Sequence, residues 1–188
     1  MDTAITVLTE RGYHGASMVE VARRASASKE TLYSWFGNKR GLFEAVIHRN
    51  AASVQSLLKI PCNQDSAPKP VLIDFGCALL TLLLGEASIA LNRAAIAETT
   101  ADSSLAEVLT ATGREETLPL FLEFLGWHQT KGNLRMHDIN IAAEQFIGLL
   151  VGDLQIRRLL GVISEPGKKT NKQRATEATT AFLRLYGV

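Results

Sequence analysis

The sequence predicts an all-α protein in two parts, on three observations. Apolar residues recur at helical spacing along most of the chain, and no stretch alternates with the period of two that a half-buried strand requires. Residues 17–36 read as two short helices around a tight turn. Pro61, Pro68 and Pro70, with Asn63-Gln64-Asp65-Ser66 among them, break the pattern between the two parts. The boundaries follow: a three-helix head at 1–48, carrying its helix-turn-helix at 17–36, and an all-helical second domain at 49–188, joined by a long helix.

The elements are justified in order. Residues 4–11 form a first helix with Ile5 and Leu8 inward and Gly12 as its stop. Ser17 followed by Glu20 is a capping box, so the next helix starts at Met18 and carries Met18, Val21, Ala22 and Ala25 as an apolar stripe. Ser26-Ala27 breaks that helix and Ser28 caps another. On it Leu32 and Phe36 point one way, while Lys29, Tyr33, Ser34 and Trp35 occupy the rest of its surface. That asymmetry is what a reader of the DNA major groove requires.

Asn38 caps a long helix whose apolar period runs from Leu42 to Leu58 and ends near Lys59. Residues 61–70 are expected to be irregular because of their prolines. Residues 71–84 resume as a helix apolar nearly all round, which requires burial on several sides. Helices follow at 88–98 and after Asp102, the latter carrying Leu105, Val108 and Leu109. Pro119 demands either a restart near Thr117 or a kink. Leu118, Phe121, Leu122, Leu125 and Trp127 are the apolar payload of that helix, and Gly132 ends it. Asp138 caps a helix over 139–160 with two apolar or small sides, one through Ala142, Phe146, Leu149 and Leu150, the other through Ile141, Gly148, Gly152 and Ile156. A last helix opens at Thr170 or Asn171 and carries Ala175, Ala178, Phe182, Leu185 and Tyr186.

Composition bounds the function. The chain has 188 residues, 46% hydrophobic and 21% charged, enough for one or two compact domains with a real core. The N-terminus lacks the basic start and cleavage site of a secretory signal, and the most apolar stretch carries Asp74 and is too short to span a bilayer, so a cytoplasmic protein with no membrane partner is expected. Cys62 and Cys77 offer no zinc-ligand spacing with His14, His48, His128 or His137, and they read as idle thiols, a redox sensor being the alternative. No metal or other cofactor is expected. Net charge is only +1, but its distribution is polar. Residues 1–50 hold seven Lys or Arg against five acids, whereas 71–130 hold two against eight. Phosphates would therefore be met by the N-terminal quarter.

Gly12-Tyr13, Ser17, Val21-Ala22, Ala25, Ser28, Thr31-Leu32-Tyr33, Phe36, Lys39 and Leu42-Phe43 resemble the signature of the tetracycline-repressor (TetR) family of transcriptional regulators, over about residues 4–48. Lys131-Gly132-Asn133-Leu134, Ala142-Ala143-Glu144-Gln145-Phe146 and Gly152-Asp153 are similar to the C-terminal domains of AefR-like members. The resemblance implies a DNA-binding head on a ligand-binding and dimerisation domain. It also implies a basic arm before the first helix. Here Met1 falls almost at that helix, so either the arm is missing or the chain is trimmed.

For the DNA-binding set, the residues and the resemblance together indicate Ser17, Ser28, Lys29, Glu30, Thr31, Tyr33, Ser34, Trp35 and Lys39. Lys39 in the first turn of its helix suits a phosphate, and the resemblance gives the Tyr33 hydroxyl the same role. Trp35 stands where relatives often have histidine and either donates to a phosphate or packs on a neighbour. Lys29 and Ser34 read bases, with Glu30 or Thr31 as further candidates; Lys29 acts through guanine O6 and N7, and Glu30 either accepts from cytosine N4 or stabilises its own helix. Arg23, Arg24 and the run from Lys168 to Lys172 read as solvated charge. The resemblance further implies a pocket for a small, apolar effector, for which Leu80, Leu83, Phe121, Phe124, Trp127 and Phe146 are candidates. It implies a homodimer through the last helices, with Ala142, Phe146, Leu149, Gly152, Ile156, Ala178 and Phe182 as interface candidates. The expected function is a ligand-responsive regulator, a repressor, on a pseudo-palindromic operator. The alternatives are a helical regulator acting through protein partners alone, or an enzyme, for which no paired carboxylates, phosphate loop or partnered nucleophile is found.

Overall fold

The computed structural model describes residues 1–59, 67–99 and 103–188, and among these it contains helices and no strand. The elements are α1 (Asp2–Gly15), α2 (Met18–Arg24), α3 (Lys29–Phe36), α4 (Lys39–Lys59), α5 (Pro68–Leu84), α6 (Glu86–Glu98), α7 (Ser104–Ala111), a π-helical segment (Thr112–Thr117), α8 (Leu118–Thr130), α9 (Ile139–Val151), α10 (Leu154–Leu159) and α11 (Lys168–Tyr186). Cys62, most of the irregular stretch and the Asp102 cap lie outside the described residues.

The chain forms two compact units whose membership is not two consecutive halves. One comprises Met1–Asn50 with Glu86–Thr112, and the other Ala51–Gly85 with Gly113–Val188. The first unit is therefore larger than the 1–48 head: α6 and α7 pack with it, burying Leu91, Ala94, Ala95, Leu105 and Val108 in one cluster with Val7, Leu8, Leu32 and Phe43. Residues of α4 contribute to both units.

Several predicted boundaries coincide with capping geometry. The Ser17 hydroxyl accepts from Glu20 N at 3.2 Å, Ser28 from Thr31 N at 3.0 Å, and the Asn38 side-chain oxygen from Gly41 N at 2.9 Å. Asp138 accepts from Asn140 N at 2.7 Å and Ile141 N at 3.2 Å, which holds its carboxyl below the ordinary range. Pro119 lies in the first turn of α8, so the helix restarts rather than kinks.

Four elements differ from expectation. Gly12 does interrupt α1, with φ 65° and ψ 176°, but helical hydrogen bonding resumes through Gly15. That conformation suits glycine, and the kink leaves Tyr13 buried with its ring 5.5 Å from Phe43. Ala25 is exposed, because α2 ends at Arg24. α5 begins at Pro68, earlier than its prolines suggested, since a first turn needs no N–H from them. The helix expected over 139–160 stops at Val151, where Gly152 takes φ 51° and ψ −127°, and α10 resumes on a new course.

The second unit closes around phenyl rings from four helices. Phe75 of α5 lies 4.7 Å from Phe121 of α8, which lies 5.3 Å from Phe146 of α9, itself 5.4 Å from Phe182 of α11. Gly76 lets α5 approach closely, since a Cβ there would meet Leu150 Cδ1 at 3.1 Å and Ala175 Cβ at 3.2 Å. Buried Arg158 donates through Nε to Leu84 O at 2.9 Å and partly buried Arg174 to Leu150 O at 2.9 Å, so guanidinium groups satisfy carbonyls at the ends of α5 and α9.

In the first unit Glu20 gathers three guanidiniums: Arg24 Nε at 2.7 Å, Arg23 Nη2 at 2.9 Å and Arg11 Nη2 at 3.4 Å, while Arg24 also reaches Glu10 at 2.6 Å. Hydrogen bonds from Arg23 and then Arg24 lower the Glu20 carboxyl from 4.5 to about 2. A carboxylate lowered on folding contributes stability that is complete above its unfolded value and lost as pH falls through the folded one. Acid titration of the wild type should thus loosen α2 between pH 4.5 and about 2. Glu20→Gln should flatten the slope in that window, measured by hydrogen exchange of the α2 amides. An unchanged slope would show that the cluster does not link protonation to folding.

Candidate nucleic-acid interface

The α2–α3 pair is held from one side. Met18, Val21 and Ala22 of α2 and Leu32 of α3 are buried, and Phe36 is half-buried. Between the helices Ser26 adopts φ 53°, and Ala27 N donates to Ala22 O at 3.0 Å, closing the tight turn. Burying only Leu32 fully leaves Lys29, Glu30, Tyr33, Ser34 and Trp35 exposed on one helix, with Trp35 at 69% and Tyr33 at 43% exposure. The Lys29 ammonium lies 5.6 Å over the Tyr33 ring, and Trp35 meets Phe36 edge-on at 6.3 Å. The face thus offers an ammonium, a phenol, a hydroxyl and an indole N–H to a groove.

The remaining predicted residues have local duties. Ser17 and Ser28 are N-caps, each with its hydroxyl engaged by a backbone N–H. Thr31 is half-buried with its hydroxyl 3.0 Å from that of Ser28. Glu30 sits in the first turn of α3, and its carboxyl is lowered by a hydrogen bond from its own backbone N–H, then by one with Ser28. Of the two roles open to Glu30, the helix-stabilising one is present in the free protein. Lys39, expected at a phosphate, donates in the free protein to Tyr13 O at 2.8 Å with its ammonium 4.0 Å over the Tyr13 ring. It ties the end of α1 to the start of α4. The carbonyl it satisfies is one that the Gly12 kink leaves near a helix end, a tertiary fact that no local spacing announces. Arg23 and Arg24, read as solvated charge, belong to the Glu20 cluster.

In the second unit Leu80, Phe121, Phe124 and Phe146 are buried in one core, with Leu83 packed against it and Trp127 half-buried on α8. Of the interface candidates, Ala142, Phe146, Ala178 and Phe182 are enclosed by their own chain, because that side of α9 and α11 packs on α5 and α8; Leu149 is half-buried. Gly152 and Ile156 are exposed. Apolar side chains left outside are Ile141 at 51%, Ile156 at 52%, Leu160 at 71%, Val162 at 65% and Leu185 at 63% exposure.

One residue escaped the sequence reading. His128 on α8 is fully buried, its ring 4.5 Å from Phe124 and 4.8 Å from Trp127. It falls seven residues after Phe121 and four after Phe124, and a histidine on the inward stripe of a helix was the signal available. Among the described residues no cluster of His, Cys, Asp and Glu could hold a metal ion, and no single helix is long and apolar enough to cross a membrane.

Known proteins share this arrangement. Residues 70–188 match the family described as AefR-like transcriptional repressor, C-terminal domain, and residues 1–46 match that of bacterial regulatory proteins, tetR family. The crystal structure of a TetR transcriptional regulator from Agrobacterium tumefaciens is 34% identical, with 100% of this chain and 92% of that one covered at a TM-score of 0.76. The flavonoid-responsive regulator FrrA is 27% identical over 99% of this chain and 96% of its own, at a TM-score of 0.69. The HTH-type transcriptional activator FasR of Mycolicibacterium smegmatis is 43% identical over 53 residues, 28% of this chain and 24% of that one. The chain spans less than a third of the length of the curated relatives it matches. With a helix-turn-helix head and a matching C-terminal domain, the chain belongs to the TetR family of transcriptional regulators.

Proposed function

We propose that this regulator is an effector-responsive repressor that binds a pseudo-palindromic operator as a homodimer in the cytoplasm. The observation that carries the reading is α3, which buries Leu32 and presents a polar and aromatic face otherwise without a structural duty. Lys29 and Ser34 read base edges, while Tyr33 and Trp35 donate to phosphates on either side. Ser17, Ser28, Glu30 and Thr31 fix the helix ends that aim those groups. Lys39 positions the head from within it.

Two half-sites require two heads, and the exposed apolar side chains on α9, α10 and α11 supply a surface suited to a second copy. Ile156 and Leu160, four residues apart, are both exposed. The effector is a small, predominantly apolar molecule held in the second unit among Leu80, Leu83, Phe121, Phe124, Trp127 and Phe146; the flavonoid response of FrrA supports such a ligand. It acts by population shift: bound preferentially to the arrangement that fits the operator less well, it is weakened by DNA to the extent that it weakens DNA binding.

Binding to DNA flanking the gene, followed across salt concentration, tests the reading. Specific binding should fall steeply with salt. Tyr33→Phe should cost about ten-fold at every sequence, the worth of one phosphate hydrogen bond to a charged acceptor. Lys29→Ala should cost about 1–3 kcal/mol and relax preference at one base pair. A folded dimer that binds no such DNA at low salt, or binds it equally with both substitutions, would point to action through protein partners instead.

The interface has its own test. Leu160→Glu should weaken self-association by at least about ten-fold in sedimentation equilibrium, since it buries a charge on dimerisation. Retention of the wild-type dimer would move the interface away from α10.

A further inference from the structure

Every nitrogen of a buried imidazole needs a partner, and His128 has one for only half of its ring. Its Nδ1 lies 3.1 Å from the side-chain nitrogen of Asn133, whereas no protein group lies within hydrogen-bonding reach of Nε2. With the Asn133 amide nitrogen directed at the ring, Nδ1 is the acceptor and the proton resides on Nε2. Burial lowers the pKa of the ring, so the neutral imidazole is the form present at pH 7. The result is a neutral N–H donor at zero exposure, flanked by the Phe124 and Trp127 rings. A buried donor without an acceptor is destabilising, and phenylalanine would complete this stripe without that cost.

We propose that His128 is the polar anchor of the effector site, its Nε2–H donating to an acceptor oxygen on an uncharged, largely aromatic molecule seated against Phe124 and Trp127. This rests on the reading of the second unit as the effector domain, and it names the chemical class that domain takes. The ligand is uncharged because a neutral imidazole cannot offset the cost of burying a carboxylate. It is aromatic because the walls beside the donor are rings, with preferred edge-on and offset contacts. A ketone carbonyl on an aromatic skeleton satisfies both conditions. Trp127 is the half-buried wall, with the Lys131 ammonium 5.3 Å from its ring centroid.

Full-length protein labelled with 15N-histidine gives the tautomer and the ligand response in one spectrum. The probes are matched pairs that differ only at the ketone: flavanone with flavan, and acetophenone with ethylbenzene. The expected result is the Nε2–H tautomer, a shift of the Nε2 resonance on adding a ketone, and binding about ten-fold tighter for the ketone of each pair, the equilibrium worth of one buried hydrogen bond. His128→Phe should melt no lower than wild type and reduce the ratio within each pair to below about two-fold. An Nδ1–H tautomer, failure of both ketones to move Nε2, or equal binding within the pairs would each overturn the assignment on the wild-type protein alone. A ketone that binds through Nε2 yet leaves operator affinity unchanged would keep the anchor and overturn the effector reading.

Discussion

An eight-residue helix is not stable by itself in water, because nucleation is costly and isolated helices shorter than about 12 residues are marginal. α3 is such a helix, and it must nevertheless keep nearly all its side chains free. Its existence depends on what little it commits: Leu32 in the core, Phe36 half-buried, and the Ser28 hydroxyl on Thr31 N. The core that receives Leu32 is in turn defined by α1 and α4. The Gly12 kink buries Tyr13 against Phe43, and Lys39 fastens onto the Tyr13 carbonyl and ring. The position of α3 thus rests on a contact between α1 and α4, and substitution of Lys39 or Tyr13 would loosen the core that receives Leu32.

Charge in the head follows the same economy. Arg11, Arg23 and Arg24 converge on Glu20, with Glu10 also holding Arg24; Arg40 pairs with Glu44 and Arg49 with Asp2. Exposed pairs of this kind contribute little stability individually, but they lower the positive field that a bare count of basic residues suggests. The Glu30 carboxylate is likewise occupied, by its own N–H and by Ser28.

What was legible in the sequence was local. Ser17, Ser28, Asn38 and Asp138 cap helices where their spacing places them, because a cap is decided within four residues. The inward stripe of α3 was legible for the same reason. Lys39 was not, since its partner lies 26 residues earlier and depends on a kink. The two apolar sides of 139–160 were real, yet their assignment was not decidable from periodicity. Gly152 breaks the helix, so the side of Ile141 and Ile156 is not continuous, while the protomer covers the face of Ala142 and Phe146 by itself. His128 looked like one polar residue in an apolar run, and only its burial reveals that it cannot be a surface group.

The order of the chain bears on how the second unit can influence the first. α5 contributes Phe75 to the ring cluster and α8 contributes Phe121. Only Gly85 separates α5 from α6, and α7 runs into α8 through the π-helical segment without a loop. α6 and α7 pack with the head, burying Leu91 and Leu105 there. A π-helical segment is a less stable register that α-helical pairing can replace, which makes Thr112–Thr117 the place where a shift of α8 can be absorbed or passed on.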